Sequence, residues 1–240
     1  MRLFALSDPH LSFSSDKPMD VFGPGWHDHV NRLTANWTKA VAADDVVLIA
    51  GDISWATKLE DAVADLRYLA NLPGQKILLR GNHDYWWSTV AKMEKVLAKE
   101  KIESLTFMRY KALQVMPRVF LAGSRGWELP TESQDPEEAE SLYRRELLRF
   151  ELAFSDAKAR MQEGDLLIAV SHYPPLGKTK VKTPLSDLIK ESGATLCLHG
   201  HVHTEGPLIH ELDGVQYVNT ASDQLQFTPL LIFDGETLRI

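Results

Sequence analysis

The chain has almost no cysteine: Cys197 stands alone among 240 residues. A lone thiol closes no intramolecular disulfide and suits a reducing compartment. Long apolar runs are missing too. No window approaches the roughly 20 apolar residues of a membrane span. The opening MRLFALSDPHLS breaks into charge after about four apolar residues, too short for a signal-peptide core. A cytoplasmic location is therefore expected. Positive charge is in deficit, with 26 Lys and Arg against 33 Asp and Glu and a net charge of -7. Without a clustered basic surface, neither a nucleic-acid polymer nor an anionic membrane is expected as partner. No internal repeat and no low-complexity tract is present, and 44% hydrophobic with 25% charged residues is ordinary globular composition.

What the chain does have is a series of short apolar runs, each ending in polar residues or glycine. They are RLFALS at 2–7, VVLIAG at 46–51, KILLRG at 76–81, VFLAGS at 119–124, LLIAVS at 166–171 and TLCLHG at 195–200. Runs this short and continuous predict strands covered on both faces. Between several of them apolar residues recur at spacings of three and four: Val30, Leu33, Trp37, Ala40 and Val41; Leu59, Ala62, Val63, Leu66 and Leu69; Val90, Met93, Val96 and Leu97. Strand alternating with helix predicts βαβ units and an α/β fold. After about residue 205, IHELDGVQYVNT and PLLIFDGETLRI read as antiparallel hairpins. A single domain over 1–240 is expected, with insertions near 11–29 and 126–164, the second continuing as a charged helix. Loops of this length are more often functional than idle.

The polar residues fall at the ends of the apolar runs. Asp8 and His10 follow the first, Asp52 the second, Asn82, His83 and Asp84 the third, His172 the fifth, and His201 and His203 the sixth. Ligands of open α/β sheets bind at the carboxyl ends of the strands, so these residues are expected to converge. The pairs Asp8/His10 and His201/His203 are each two apart, which in extended backbone points both side chains the same way.

Setting aside His83 and Asp84, the set comprises Asp8, Asp52, Asn82 and four histidines. One catalytic ion normally takes about three protein ligands and keeps a position open. Seven ligands with a shared carboxylate therefore suit two open sites close together. Nitrogen and oxygen donors without thiolate fit Mn, Fe, Zn or Co. Two divalent ions bring about +4 against -2 from the two aspartates, and the surplus near +2 calls for an anion with several oxygens, such as a phosphate ester.

The ordered blocks Asp8-Pro9-His10, Gly51-Asp52, Gly81-Asn82-His83-Asp84, His172 and Gly200-His201-Val202-His203 resemble the signature of the calcineurin-like metallophosphoesterases. Gly-Asp alone is common; the full set in order is specific. The resemblance implies a four-layer αββα sandwich with two mixed β-sheets and a dinuclear metal centre, Mn being the first choice of ion. It implies a first ion held by Asp8, His10, Asp52 and His203. A second would be held by Asp52, Asn82, His172 and His201, with Asp52 bridging. His83 would steady the phosphoryl group and protonate the leaving oxygen after attack by a metal-activated water, and Asp84 would orient His83 by accepting its other N–H. The implied partner is a small or medium phosphate ester. A phosphodiesterase acting on cyclic nucleotides or nucleotide diesters is the alternative, and a non-catalytic scaffold of the same fold a further one; the scaffold would be expected to have lost His83 or Asp52.

Several residues sit outside that pattern. Arg125, in AGSRGW, follows a strand and could meet a phosphate oxygen, while Arg80 suits a salt bridge behind the site. Trp86 and Trp87 are expected to begin a helix, with Trp86 a candidate for the substrate pocket. His27, His29, His199 and His210 read as structural or solvated, and His199 as a neighbour of the ligands. Asp135, Glu137, Glu138 and Glu140 suit the solvated start of a helix, where negative charge meets the positive end of the dipole.

Overall fold

Bulky aliphatic runs fold as strands where packing covers both faces of the sheet, and here all six do. The computed structural model describes residues 1–204 and 206–240. Its strands are β1 Leu3–Leu6, β2 Val46–Ile49, β3 Gln75–Leu78, β4 Leu105–Phe107, β5 Leu113–Met116, β6 Val119–Gly123, β7 Leu166–Val170, β8 Leu196–His199, β9 Ile209–Leu212, β10 Val215–Asn219 and β11 Leu230–Phe233. The helices are α1 His29–Ala40, α2 Val63–Asn71, α3 Val90–Lys99, α4 Pro136–Arg160 and α5 Pro184–Ser192. None is long and apolar enough to cross a membrane. The chain divides into two compact units, Met1–Phe107 with Thr220–Ile240, and Met108–Asn219.

The first unit carries a mixed sheet in the order β11-β1-β2-β3-β4. Strands β1 to β4 run parallel and β11 joins β1 antiparallel. Phe4, Leu6, Val47, Ile49 and Leu78 pack with Leu33 and Trp37 of α1, Leu66 and Leu69 of α2, and Met93 and Leu97 of α3. Leu3, Ala5 and Leu48 between them are fully buried as well, so the strands read as continuous apolar runs. One cation lies inside this unit. The Lys76 ammonium donates to the backbone carbonyls of Leu72 and Gly74 (2.8 Å), and burial pushes its pKa down to about 8.

The second unit carries a six-stranded mixed sheet in the order β5-β6-β7-β8-β10-β9, with only the two edge pairings antiparallel. The expected hairpin is β9 to β10, joined by Asp213 (φ 55°) and Gly214 (φ 81°), both left-handed as a tight primed turn requires. The other expected hairpin is a single bridge, Phe233 to Leu238, because β11 pairs with β1 instead. Segment 126–164 is less of an insertion than its charge suggests. Tyr143, Phe150, Phe154 and Ala157 of α4 pack with Phe120, Leu167, Ala169 and Cys197, making α4 an integral cover of the sheet. Asp135 caps α4 by accepting the Glu138 amide, as the acidic start leads one to expect.

Two further expectations are corrected. Helix α3 begins at Val90, so Trp86 and Trp87 precede it in a turn. Arg80 makes no salt bridge among the described residues.

Candidate metal and active site

Backbone pairing continues beyond the strands of the first unit, and this places its polar residues. The Asp8 amide donates to Gly51 O (2.9 Å), His10 N to Asp52 O (3.1 Å) and Leu11 N to Ile53 O (2.9 Å). The segments after β1 and β2 thus run side by side and present Asp8, His10 and Asp52 together. Extended geometry does not do this, contrary to the alternation read from the sequence. Asp8 (φ 56°), His10 (φ 47°) and Asp52 (φ 51°) are all left-handed, as is His201 (φ 71°) in the second unit. Each such non-glycine residue costs of order 1–3 kcal/mol, and strain of this kind concentrates at functional sites.

Asp8 and Asp52 are buried, with His10 beside them. His10 Nε2 stands 4.0 Å from Asp8 Oδ1 and 3.9 Å from Asp52 Oδ2. These separations exceed a hydrogen bond but fall within the roughly 4.2 Å that two donors about 2.1 Å from one ion can span. The donor set therefore fits a divalent cation. His83 Nε2 is also 4.0 Å from Asp52 Oδ2, and at 36% exposure its side chain opens outward while Asp52 stays covered. The other Asp52 oxygen accepts the His83 amide at 2.8 Å. Gly81 makes this approach possible: a Cβ there would stand 2.1 Å from Asp52 Oδ1 and from the Asp52 amide.

Asp84 has a different job from the one expected of it. Its Oδ1 accepts the amides of Ile53 (2.8 Å) and Ser54 (3.1 Å) and the Trp86 indole N–H (3.0 Å), while Oδ2 accepts the Gly81 amide (2.7 Å). His83 is not among its partners. The carboxylate ties the loop after β2 to the loop after β3, and so fixes Asp52 against His83 through the backbone. Burial, and then the Asp52 charge, push its pKa up to about 6 against the pull of these amide bonds. Trp86 is likewise corrected as a substrate contact. At 2% exposure it packs with Trp87 and Phe107 (ring centroids 5.3 and 6.4 Å) and spends its only donor on Asp84.

The rings that do flank the histidines are others. Trp55 lies nearly parallel to His10 at 5.0 Å and tilted against His83 at 4.5 Å. Trp26, in the 11–29 segment, meets His10 edge-on at 5.6 Å, and Met19 Sδ accepts the Trp55 indole N–H. That segment therefore holds the aromatic wall around His10. Trp55 was legible only as the third residue after Asp52, since ring stacking leaves no periodic trace. His29 packs against Trp26 and Phe227 at 5.6 and 5.7 Å, and burial lowers its pKa, the mark of a structural histidine.

In the second unit, the amides of His172 and Tyr173 donate to Arg125 O (both 2.9 Å), and Gly200 N donates to His172 O (3.1 Å). The segments after β6, β7 and β8 are thereby linked. His172 is buried, and its ring meets that of His201 edge-on at 5.2 Å. His203 lies exposed in the same loop, whose Val202 carbonyl accepts the Asn219 amide group at 2.8 Å. His199, at the end of β8, is buried with Nδ1 3.0 Å from Gly200 O. The Arg125 guanidinium lies 4.3 Å over the Trp127 ring.

Known proteins share this architecture. Over 98% of both chains the fold matches the phosphopantetheinyl hydrolase PptH from Mycobacterium tuberculosis, with a TM-score of 0.56 and 14% identity. TT1561 of Thermus thermophilus matches with a TM-score of 0.55 and 16% identity over 93% of this chain and 90% of that one. At such identities these likenesses show the fold. In sequence, the chain is 40% identical over 75 residues to the gene 66 protein of Mycobacterium phage D29, a match spanning 31% of this chain and 35% of the relative. The calcineurin-like phosphoesterase model matches residues 1–205, reaching from β1 through all five polar blocks. The chain belongs to the calcineurin-like phosphoesterases.

Proposed function

We propose that the protein is a dinuclear metal-dependent phosphoesterase. The observation that carries this reading is His10 Nε2 at 4.0 and 3.9 Å from Asp8 Oδ1 and Asp52 Oδ2, a donor arrangement suited to an ion, in a chain of this family. Asp8, His10, Asp52 and His203 would hold one ion, and Asp52, Asn82, His172 and His201 would hold the other. Bound there, divalent ions, Mn first among them, supply a nucleophilic water at neutral pH and neutralise phosphoryl oxygens. A cytoplasmic site of action accords with the single buried thiol, Cys197.

The chain's own residues do the rest. Water attacks phosphorus and loses a proton to solvent, the bond from phosphorus to the ester oxygen breaks, that oxygen takes a proton from His83, and solvent then reprotonates His83. The partly exposed His83 is placed for this, with its amide tied to Asp52 and its ring braced by Trp55. An imidazole pKa near 6.5 suits proton exchange close to neutral pH. Asp84 positions the loop that carries it.

The test is hydrolysis by purified protein with added Mn, on an aryl phosphomonoester and the matching diester, beside metal analysis. About two ions per chain and turnover of at least one ester are expected. Asp52→Asn should lose both metal and turnover. No turnover of either ester by fully loaded protein would overturn the reading, and the relative rates separate monoesterase from phosphodiesterase.

A further inference from the structure

The second unit contains a cavity of about 590 Å³ that none of the proposed catalytic steps uses. It is lined by Trp127 and Leu129 from the segment after β6, by Tyr173 and Leu176 from the loop after β7, and by His201 and His203. The aromatic part is continuous. Trp127 and Tyr173 have ring centroids 5.4 Å apart at 38°, and Tyr173 stands 4.4 Å from His201 at 37°. The Arg125 guanidinium over Trp127 stiffens the far end of the stack. A volume in the range of about 300–1,000 Å³, apolar walls and a few convergent polar groups are what small-molecule sites have in common.

We propose that this cavity receives the leaving group, and that the preferred substrates are phosphate esters of an alcohol bearing an uncharged aromatic or heteroaromatic ring. The inference rests on the proposed function, because it places the phosphoryl group with His201 and His203. From there the ester oxygen's substituent has the Tyr173 and Trp127 rings beside it. A flat ring gains stacking and removes apolar wall from water; a short alkyl or polyol group does neither. Two lysines, Lys178 and Lys180, and two glutamates, Glu128 and Glu132, line the cavity, so its lining carries no net positive charge that would ask for a second anion. Lys178 is held against Glu132, its backbone amide donating to Oε1 at 2.7 Å and its ammonium approaching the Glu132 backbone carbonyl at 3.4 Å.

Two measurements on the full chain test this. Metal-free protein is titrated with 2-(1-naphthyl)ethanol by equilibrium dialysis, so that no chemistry is needed. Binding should be saturable and weakened roughly tenfold or more by Trp127→Ala, while Trp127→Phe, which keeps a ring, should stay within about threefold. Thr204→Trp, at an exposed position on the cavity mouth, should also weaken it and guards against misfolding of the Trp127 variant. With Mn, kcat/KM for 2-(1-naphthyl)ethyl phosphate should exceed that for n-propyl phosphate, both esters of primary alcohols, by roughly tenfold or more. Absence of saturable binding, or binding unchanged in Trp127→Ala and Thr204→Trp, overturns the cavity assignment even if esters are cleaved. Equal kcat/KM for the two esters overturns it as a leaving-group site. Alcohol binding that Trp127→Ala abolishes, with no ester hydrolysed, overturns the phosphoesterase reading and leaves the aromatic site standing.

Discussion

Trp86 donates its indole N–H to Asp84 Oδ1 at 3.0 Å, deep beneath the loop that carries His83. That bond and three backbone amides make Asp84 a knot between two loops. Asp84→Asn turns one oxygen into an NH₂ group facing amide donors, so it should destabilise the fold by about 1–3 kcal/mol. Denaturant unfolding checks this. If turnover falls while the unfolding midpoint stays fixed, the knot is not what matters.

Trp55 braces both His10 and His83, so Trp55→Ala should lower kcat by about 10–100-fold, as removal of groups that orient ligands does. Trp55→Phe should recover most of the loss, because a ring still fills the gap. The readout that separates positioning from general damage is the pH profile of kcat, whose acidic or basic limb should move in the alanine variant and return in the phenylalanine one.

Gly81 has no room for a side chain, with Asp52 Oδ1 and N each 2.1 Å from where a Cβ would stand. Gly81→Ala must push Asp52 away, and overpacking of this kind costs about 1–3 kcal/mol. Bound metal per chain should drop together with Tm. Normal metal content at a normal Tm would contradict the close approach.

His83 is assigned a proton and no metal. His83→Ala should therefore lower kcat by about 10²–10⁴-fold while metal content stays that of the parent. Equal loss of metal and activity would place His83 among the ligands instead.

Lys76 predicts a pH effect on stability. Burial lowers its folded pKa to about 8 from 10.5, so the unfolded chain holds the extra proton between those values. Stability from this group is lowest below pH 8 and rises as pH climbs from there toward 10.5. In paired urea titrations, the parent should gain on Lys76→Met across that window. A difference that is flat or reversed with pH would rule out the buried ammonium as the cause.

Much of this was legible in the sequence because it is written locally. The six apolar runs at 2–7, 46–51, 76–81, 119–124, 166–171 and 195–200 became strands, since a strand covered on both faces needs an unbroken apolar run. The order of the polar blocks carried the family. The short edge strands β4 and β5 had no such run to betray them, and the charge on α4 hid its buried stripe of Tyr143, Phe150 and Phe154.

The sequence by itself determined which residues stand at the strand ends, and so which donors a metal could find. Only the tertiary structure decided how they stand. Left-handed backbone at Asp8, His10 and Asp52, the amides that occupy Asp84, and the rings of Trp55, Trp127 and Tyr173 all depend on partners distant in the chain. Such contacts are fixed by close packing between loops, where no periodicity records them.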